Sequence, residues 1–246
     1  MGLAIPMLGA YWRFLFYHCW EPMAFSPPTG ASRPSVRNHV GASKLWSALR
    51  LNLPQEAARL IAQGASATER VNGGLTPLMV VAKLGFVECA KAIISHSETA
   101  AVDGYGRSAL SLAAGGCAGV EMVELLLAAD PAQALEVDIL GDSPLMRAAS
   151  QGKPDCVLAL LPHGGAMLAG SLGRTALMEC ARLGMSSCVA ALLPVSSLGA
   201  VDSGRKSAKR LAREAGFNEI VLAIERFEAS AGSAAAQAAR AEREQG

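Results

Sequence analysis

A short motif recurs at a nearly constant interval through most of this 246-residue chain. It reads Gly-x-(Thr/Ser)-(Pro/Ala)-Leu and ends at Leu78, Leu110, Leu145 and Leu177. The hydroxyl residues of these copies lie 32, 35 and 32 residues apart, at Thr76, Ser108, Ser143 and Thr175. Looser copies begin at Ser207 and Ser43. An interval of this size is typical of stacked arrays, in which each unit needs its neighbours to bury its apolar face.

Each unit predicts a helix, a turn, a second helix and a loop. The hydroxyl residue is a good N-cap, and Pro77 and Pro144 suit the first helical position, where no amide donor is needed. Nine residues after the cap, a glycine is expected to end the first helix: Gly85, Gly152, Gly184 and Gly216. The second helix carries a pair of large apolar residues, and Pro162 and Pro194 are expected to end it.

The loops and motifs together resemble ankyrin repeats, whose pattern is Asp-x-x-Gly-x-Thr-Pro-Leu-His. The resemblance covers about residues 43–229 and implies an all-α solenoid of stacked antiparallel helix pairs with β-turn fingers. The family's histidine is replaced here by Met79, Ser111, Met146 and Met178. We therefore expect the side-chain hydrogen bonds of that histidine to be absent. The third unit has an extra residue near 117–120 and a longer finger, and regular stacking is least well predicted there.

The chain divides into three parts on this reading. Residues 1–42 precede the array, residues 43–229 form it, and residues 230–246 are an Ala-rich tail that predicts either a marginal helix or a disordered segment. The predicted units are 43–75, 76–107, 108–142, 143–174, 175–206 and 207–229. The last unit surrounds its apolar positions with charged residues, as a terminal repeat with one free side requires.

Residues 1–42 differ in composition from the array and do not contain the repeat motif. Seven of the chain's twelve aromatic residues lie in the first 25 positions, and a stretch rich in Ser, Pro, Gly and Arg follows. The apolar runs are too short to span a bilayer, and a signal peptide's basic start is missing. We interpret the segment as a poorly ordered extension, with membrane insertion or organelle targeting as the alternatives.

Composition excludes several classes of function. The chain has 22 basic and 21 acidic residues, and this nearly neutral net charge gives no indication of nucleic-acid binding. Cys89, Cys156 and Cys188 occupy one repeated position in the second helix, which favours buried thiols over disulfides or metal ligands. This interpretation implies a reducing compartment. No phosphate-binding loop, dinucleotide fingerprint or zinc-protease motif occurs, so we predict no catalytic residue, no cofactor and no metal.

Function is therefore expected at the surface that fingers and first helices share. Carrying the family's usual contact positions onto this chain gives these candidates: Leu75, Lys83, Leu84, Tyr105, Arg107, Ile139, Leu140, Asp142, Gln151, Leu172, Arg174, Arg182 and Leu183. Tyrosine and arginine are enriched in interface hot spots. The alternative is structural: Leu75 and Leu172 cover neighbouring fingers, and Arg107 and Arg174 pair locally with Asp103 or Glu179.

We predict a monomeric, non-catalytic scaffold in the cytoplasm that binds another protein. One alternative is an accessory module that works with an enzyme such as a kinase. Another is an adaptor held at a membrane by residues 1–25.

Overall fold

The computed structural model describes residues 39–170 and 172–244. The predictions made for residues 1–38 lie outside this part of the chain. Within it there are twelve α-helices and no β-strand: α1 His39–Arg50, α2 Pro54–Ala62, α3 Pro77–Leu84, α4 Val87–Ile93, α5 Ala109–Gly115, α6 Val120–Ala129, α7 Pro144–Ser150, α8 Pro154–Leu160, α9 Ala176–Leu183, α10 Ser186–Leu192, α11 Ala208–Glu214 and α12 Asn218–Glu244.

The helices form six consecutive pairs that stack in chain order. First helices pack on first helices from α1 to α3 and on through α5, α7, α9 and α11, while second helices pack from α2 through α4, α6, α8, α10 and α12. A single apolar core runs through all six pairs. The predicted all-α solenoid is confirmed. No helix in the described part of the chain is both long and apolar enough to span a membrane.

Side-chain hydroxyls cap five of the first helices, as predicted. Thr76 accepts from the amide of Met79 at 3.3 Å, and Thr175 accepts from that of Met178 at 3.4 Å. The same bond is made by Ser108, Ser143 and Ser207. The cap predicted at Ser43 is wrong, because α1 begins at His39 and that serine lies inside the helix. The signal was misleading because Ser43 is followed by Lys44, where every other copy has Pro or Ala.

The prediction that the family histidine's hydrogen bonds are missing throughout is wrong at one position. The backbone amide of Thr76 donates to Met79 Sδ at 3.4 Å, so this thioether closes a reciprocal capping box. The sulfur is a weak acceptor, but the side chain is fully buried and has the length to reach the amide. Ser111, which replaces the histidine in the next unit, keeps a buried hydroxyl oxygen with no hydrogen-bond partner.

The predicted ends of the second helices need a small correction. Helix α8 ends at Leu160, and a 3₁₀ turn over Leu161–His163 follows that contains Pro162. Pro194 likewise lies inside a turn over Leu193–Val195. Proline is tolerated in the first turn of a helix, where its missing amide donor is not needed, so it fits a short 3₁₀ turn. In the interior of a longer helix it would remove a hydrogen bond and its ring would clash with a backbone carbonyl. At the chain's end, the Ala-rich tail continues α12 as far as Glu244.

The inserted turn of the third unit does not interrupt the stack. The amide of Cys117 donates to the carbonyl of Lys83 at 2.9 Å, which ties this turn to the preceding unit. From the following unit, Lys153 Nζ donates to the carbonyls of Ala113, Gly116 and Ala118. An ammonium at this place satisfies free carbonyls and complements the negative end of α5. Burial lowers the pKa of Lys153.

We expect that only glycine fits at position 116 of this turn, because the neighbouring backbone leaves no space for a Cβ atom. A Cβ there would lie 2.5 Å from the carbonyl oxygen of Lys83 and 2.6 Å from that of Leu112, both backbone atoms. Gly116→Ala should therefore lower the free energy of unfolding by about 1–3 kcal/mol in a urea titration. The matched control is Gly199→Ala, where an added Cβ meets no atom within 4 Å. Equal stability of the two variants would show that the carbonyl oxygens of Lys83 and Leu112 do not approach position 116 this closely.

Candidate functional site

Five loops, which we call fingers, connect the helix pairs and end just before the capped first helices. They comprise residues 71–75, 103–107, 138–142, 170–174 and 202–206, and in each the first residue's amide donates to the last residue's carbonyl at 2.9 to 3.1 Å. Neighbouring fingers are also joined: Gly104 N donates to Gly73 O at 2.6 Å, Ile139 N to Tyr105 O at 3.1 Å and Ser203 N to Leu172 O at 2.9 Å. Each finger is therefore closed by its own backbone bond and joined to at least one neighbouring finger, and finger 103–107 is joined on both sides.

A buried aspartate shapes three of the fingers. Asp103, Asp138 and Asp202 are each 6–7% exposed. In each, Oδ1 accepts from the amides two and four residues later at 2.9 to 3.0 Å. These bonds are the reason the Val-Asp pattern precedes the caps, because aspartate side chains replace backbone acceptors in tight turns.

The second carboxylate oxygen of each aspartate, Oδ2, forms an ion pair with an arginine. Arg107 Nη2 lies 2.7 Å from Asp103 Oδ2, and its guanidinium stacks 4.8 Å from the centre of the Tyr105 ring. Burial opposes ionisation of Asp103, but hydrogen bonds from the Arg107 side chain and from backbone amides hold its pKa below the ordinary value. Arg147, from α7, reaches Asp138 in the same manner.

The candidate arginines Arg174 and Arg182 are also paired within the protein. Arg174 Nε lies 3.5 Å from Asp202 Oδ2 of the next finger, and its Nη1 lies 3.7 Å from Glu179 Oε2. Arg182 pairs with the same glutamate. The local-pairing interpretation thus describes Arg107 and Arg174 correctly. The pair between Arg174 and Asp202 joins two fingers 28 residues apart in sequence, which a search within one unit does not reveal.

Four candidate side chains on the fingers are both apolar and exposed. Their exposed fractions are 58% for Tyr105, 67% for Ile139, 54% for Leu140 and 50% for Leu172. We call these four residues the finger face. Ile139 and Tyr105 are adjacent through the backbone bond between their fingers, and the Ile139 Cγ2 methyl lies over Gly106. Because half of its surface is exposed, Leu172 is not buried between fingers, whereas Leu75 packs against the core.

The candidates on the first helices are less uniform. Lys83 and Gln151 are exposed, and Leu84 and Leu183 are half-buried. Sequence reasoning missed Arg147 and Glu179, both four residues after a cap, although each organises charges beside the fingers. Their common position in the repeat was the signal that could have identified them.

Asp142 differs from every other finger acid. Its amide donates to Asp138, but among the described residues its carboxylate makes no hydrogen bond or ion pair. Burial raises its pKa above the ordinary 3.8, the Asp138 carboxylate adds to this effect, Arg147 opposes it and Glu179 contributes in the same direction as Asp138. A half-buried carboxylate with no partner costs stability when it is ionised.

We expect Asp142→Asn to stabilise the protein at neutral pH. A carboxyl whose pKa is higher in the folded state favours folding only while protonated, so its ionisation weakens the fold as the pH rises through the folded pKa. The difference in unfolding free energy between variant and parent should thus be positive at pH 7, shrink as the pH falls through the folded pKa of Asp142, and be lost below the ordinary value of 3.8. Urea titrations at several pH values measure it, and a variant less stable than its parent at pH 7 would contradict this account.

The described residues show no constellation suited to catalysis. Ser95 Oγ lies 2.9 Å from His96 Nδ1, a contact that sequence reasoning did not foresee, but both side chains are exposed in a surface turn and no carboxylate bonds to the imidazole there. The predicted burial of Cys89, Cys156 and Cys188 is confirmed, and burial raises the pKa of Cys156. No group of histidine, cysteine or acidic residues suited to a metal ion occurs in the described ranges.

Comparison with known proteins identifies one family. A sequence model described as ankyrin repeats, with three copies, matches residues 45–136 and 117–206. No curated protein matches the chain. The matched ranges run from the first helix pair to the fifth finger and include the finger face.

Proposed function

The chain belongs to the ankyrin repeat family, and from that premise we propose that it is a non-catalytic scaffold that binds another protein through its fingers and first helices. Repeats of this family are general protein-binding modules. The partner contacts would come from the exposed candidates, while the paired arginines would act by holding the fingers in shape.

The observation that carries this proposal is the finger face itself. Tyr105, Ile139, Leu140 and Leu172 are at least half exposed, although each stands on a finger that is closed by its own backbone bond and joined to at least one neighbouring finger. Apolar side chains on ordered loops lose little conformational entropy on binding, and clustered exposed apolar residues mark interaction sites. A tyrosine braced by a cation, as Tyr105 is by Arg107, is a typical interface anchor.

An affinity pull-down with mass spectrometry tests the proposal. The bait is the full chain, compared with an Ile139→Glu/Leu172→Glu double variant, which we expect to lose its specific partners at least tenfold because two charges would be desolvated in the interface. The matched control is Leu158→Glu on α8, whose leucine is 54% exposed and lies outside the fingers. Both variants should melt like the parent. Partners retained by the double variant and lost by the control would rule the finger face out.

A further inference from the structure

The residue directly before each cap forms a column along the array. From the second to the sixth pair this column reads Leu75, Arg107, Asp142, Arg174 and Lys206. Each of the three basic members pairs with an acid of the protein itself: Arg107 with Asp103, Arg174 with Asp202 and Lys206 with Glu214. These cations are therefore already neutralised before any partner binds.

Asp142 is the acidic member of this column. It is acidic where three other units carry a base, and the guanidinium that its own finger needs comes instead from Arg147 on α7. Because Arg147 is committed to Asp138, the Asp142 carboxylate is left without an ion pair in the described structure. The column thus offers a partner one unneutralised charge, and that charge is negative.

The next finger along the chain, 170–174, lacks the turn-shaping aspartate at its first position, and this position lies beside Asp142. Gly170 stands where three other fingers have their turn-shaping aspartate. A Cβ on Gly170 would lie 3.1 Å from Asp142 Oδ1 and 3.6 Å from Met146 Sδ. An aspartate here would bring a second carboxylate against the first. Two local rules of the repeat are therefore broken around one carboxylate, a pattern expected at functional sites rather than at structural ones.

Apolar side chains flank this carboxylate along the chain and across to the next finger. Ile139 and Leu140 precede it in its own finger, and Leu172 stands on the finger that contains Gly170, which approaches Asp142. A cation brought by a partner would gain an ion pair with a carboxylate that loses less hydration on binding than a fully exposed one, because Asp142 is already half-buried. The residues beside that cation would meet leucine and isoleucine.

We propose that the finger face binds a linear segment of a partner protein in which a lysine or arginine pairs with Asp142 and adjacent apolar residues pack on Ile139, Leu140 and Leu172. This inference rests on the proposed function and narrows it to a class of partner. Charge complementarity sets which segment is accepted, while the apolar contacts supply most of the affinity.

Selection from a library of random linear peptides displayed on phage tests this inference. The baits are the full chain, the Asp142→Lys variant and the Ile139→Glu/Leu172→Glu variant. Peptides that bind the parent but not the double variant should carry Lys or Arg beside apolar residues. Asp142→Lys should instead select Asp or Glu at that position. Synthetic peptides should bind the parent about tenfold more tightly with Lys than with norleucine at the central position, and this preference should vanish with Asp142→Asn.

The outcomes separate the two proposals. Peptides that depend on the finger face but show no preference for a cation would overturn the role of Asp142 and leave the scaffold function standing. Failure to select any peptide that depends on the face would overturn the linear-segment inference, and the pull-down would then decide the scaffold function by itself. Asp142→Asn is expected to be more stable than the parent, so lost binding in that variant cannot be ascribed to unfolding.

Discussion

Leu177→Asp is expected to lower the free energy of unfolding by about 3–5 kcal/mol at neutral pH. The leucine is 0% exposed and lies in α9, which packs against α7 on one side and α11 on the other. The substitution removes most of a buried side chain and places a charge with no partner in the core. Because each repeat contacts only its neighbours, the defect should also uncouple α9–α12 from the rest of the array.

Urea titration followed by circular dichroism measures this effect. We expect the midpoint to fall and the transition to broaden or split, since the two sides of the defect no longer unfold together. Leu158→Asp is the control, because its leucine is 54% exposed and should tolerate the charge within about 0.5 kcal/mol. A transition for Leu177→Asp that coincides with the parent's would show that α9 is not packed in this register.

Asp138→Ala is expected to cost about 3 kcal/mol of stability and to abolish partner binding. The side chain of Asp138 is 1% exposed and accepts from the amides of Leu140 and Asp142 at 2.9 and 3.0 Å. Its loss leaves both amides without these acceptors and Arg147 without its carboxylate. The finger that carries Ile139 and Leu140 would lose its shape, so affinity should fall together with stability.

Asp138→Asn separates these two contributions. Its carboxamide oxygen can still accept from both amides, while the ion pair with Arg147 is lost, so we expect a stability loss of about 1 kcal/mol and nearly unchanged peptide binding. Urea titration and the pull-down compare the two variants. If the alanine variant bound partners as the parent does, the shape of this finger would not matter for recognition.

Local features could be predicted because their causes lie within a few residues. The caps at Thr76 and Thr175, and the left-handed glycines Gly85 and Gly184, depend on bonds and backbone angles within one turn of helix. The same reasoning failed at Ser43, where the hydroxyl is followed by Lys44 instead of Pro or Ala and does not begin a helix. It also failed at Met79, because a composition rule about missing histidines ignores what a buried thioether can accept.

The features that decide the candidate site depend on contacts between units. Arg174 pairs with the aspartate of the next finger, and Gly116 has no room for a side chain because Lys83 of the preceding unit approaches it. The sequence places Asp142 at a candidate recognition position, but only the structure shows that Arg147 pairs with Asp138 and leaves the Asp142 carboxylate without an ion pair among the described residues.

The repeat interval, the caps from Thr76 to Ser207 and the positions of the fingers were determined by the sequence itself, since periodicity and turn chemistry act over short distances. The tertiary structure decided which charges are already neutralised and which apolar residues remain exposed. Some of these contacts, such as the ion pair between Arg174 and Asp202, join neighbouring repeats across 28 residues of chain, beyond the reach of a rule that acts within one turn. Others lie close in sequence, but the choice of Arg147 between Asp138 and Asp142 still depends on the folded geometry.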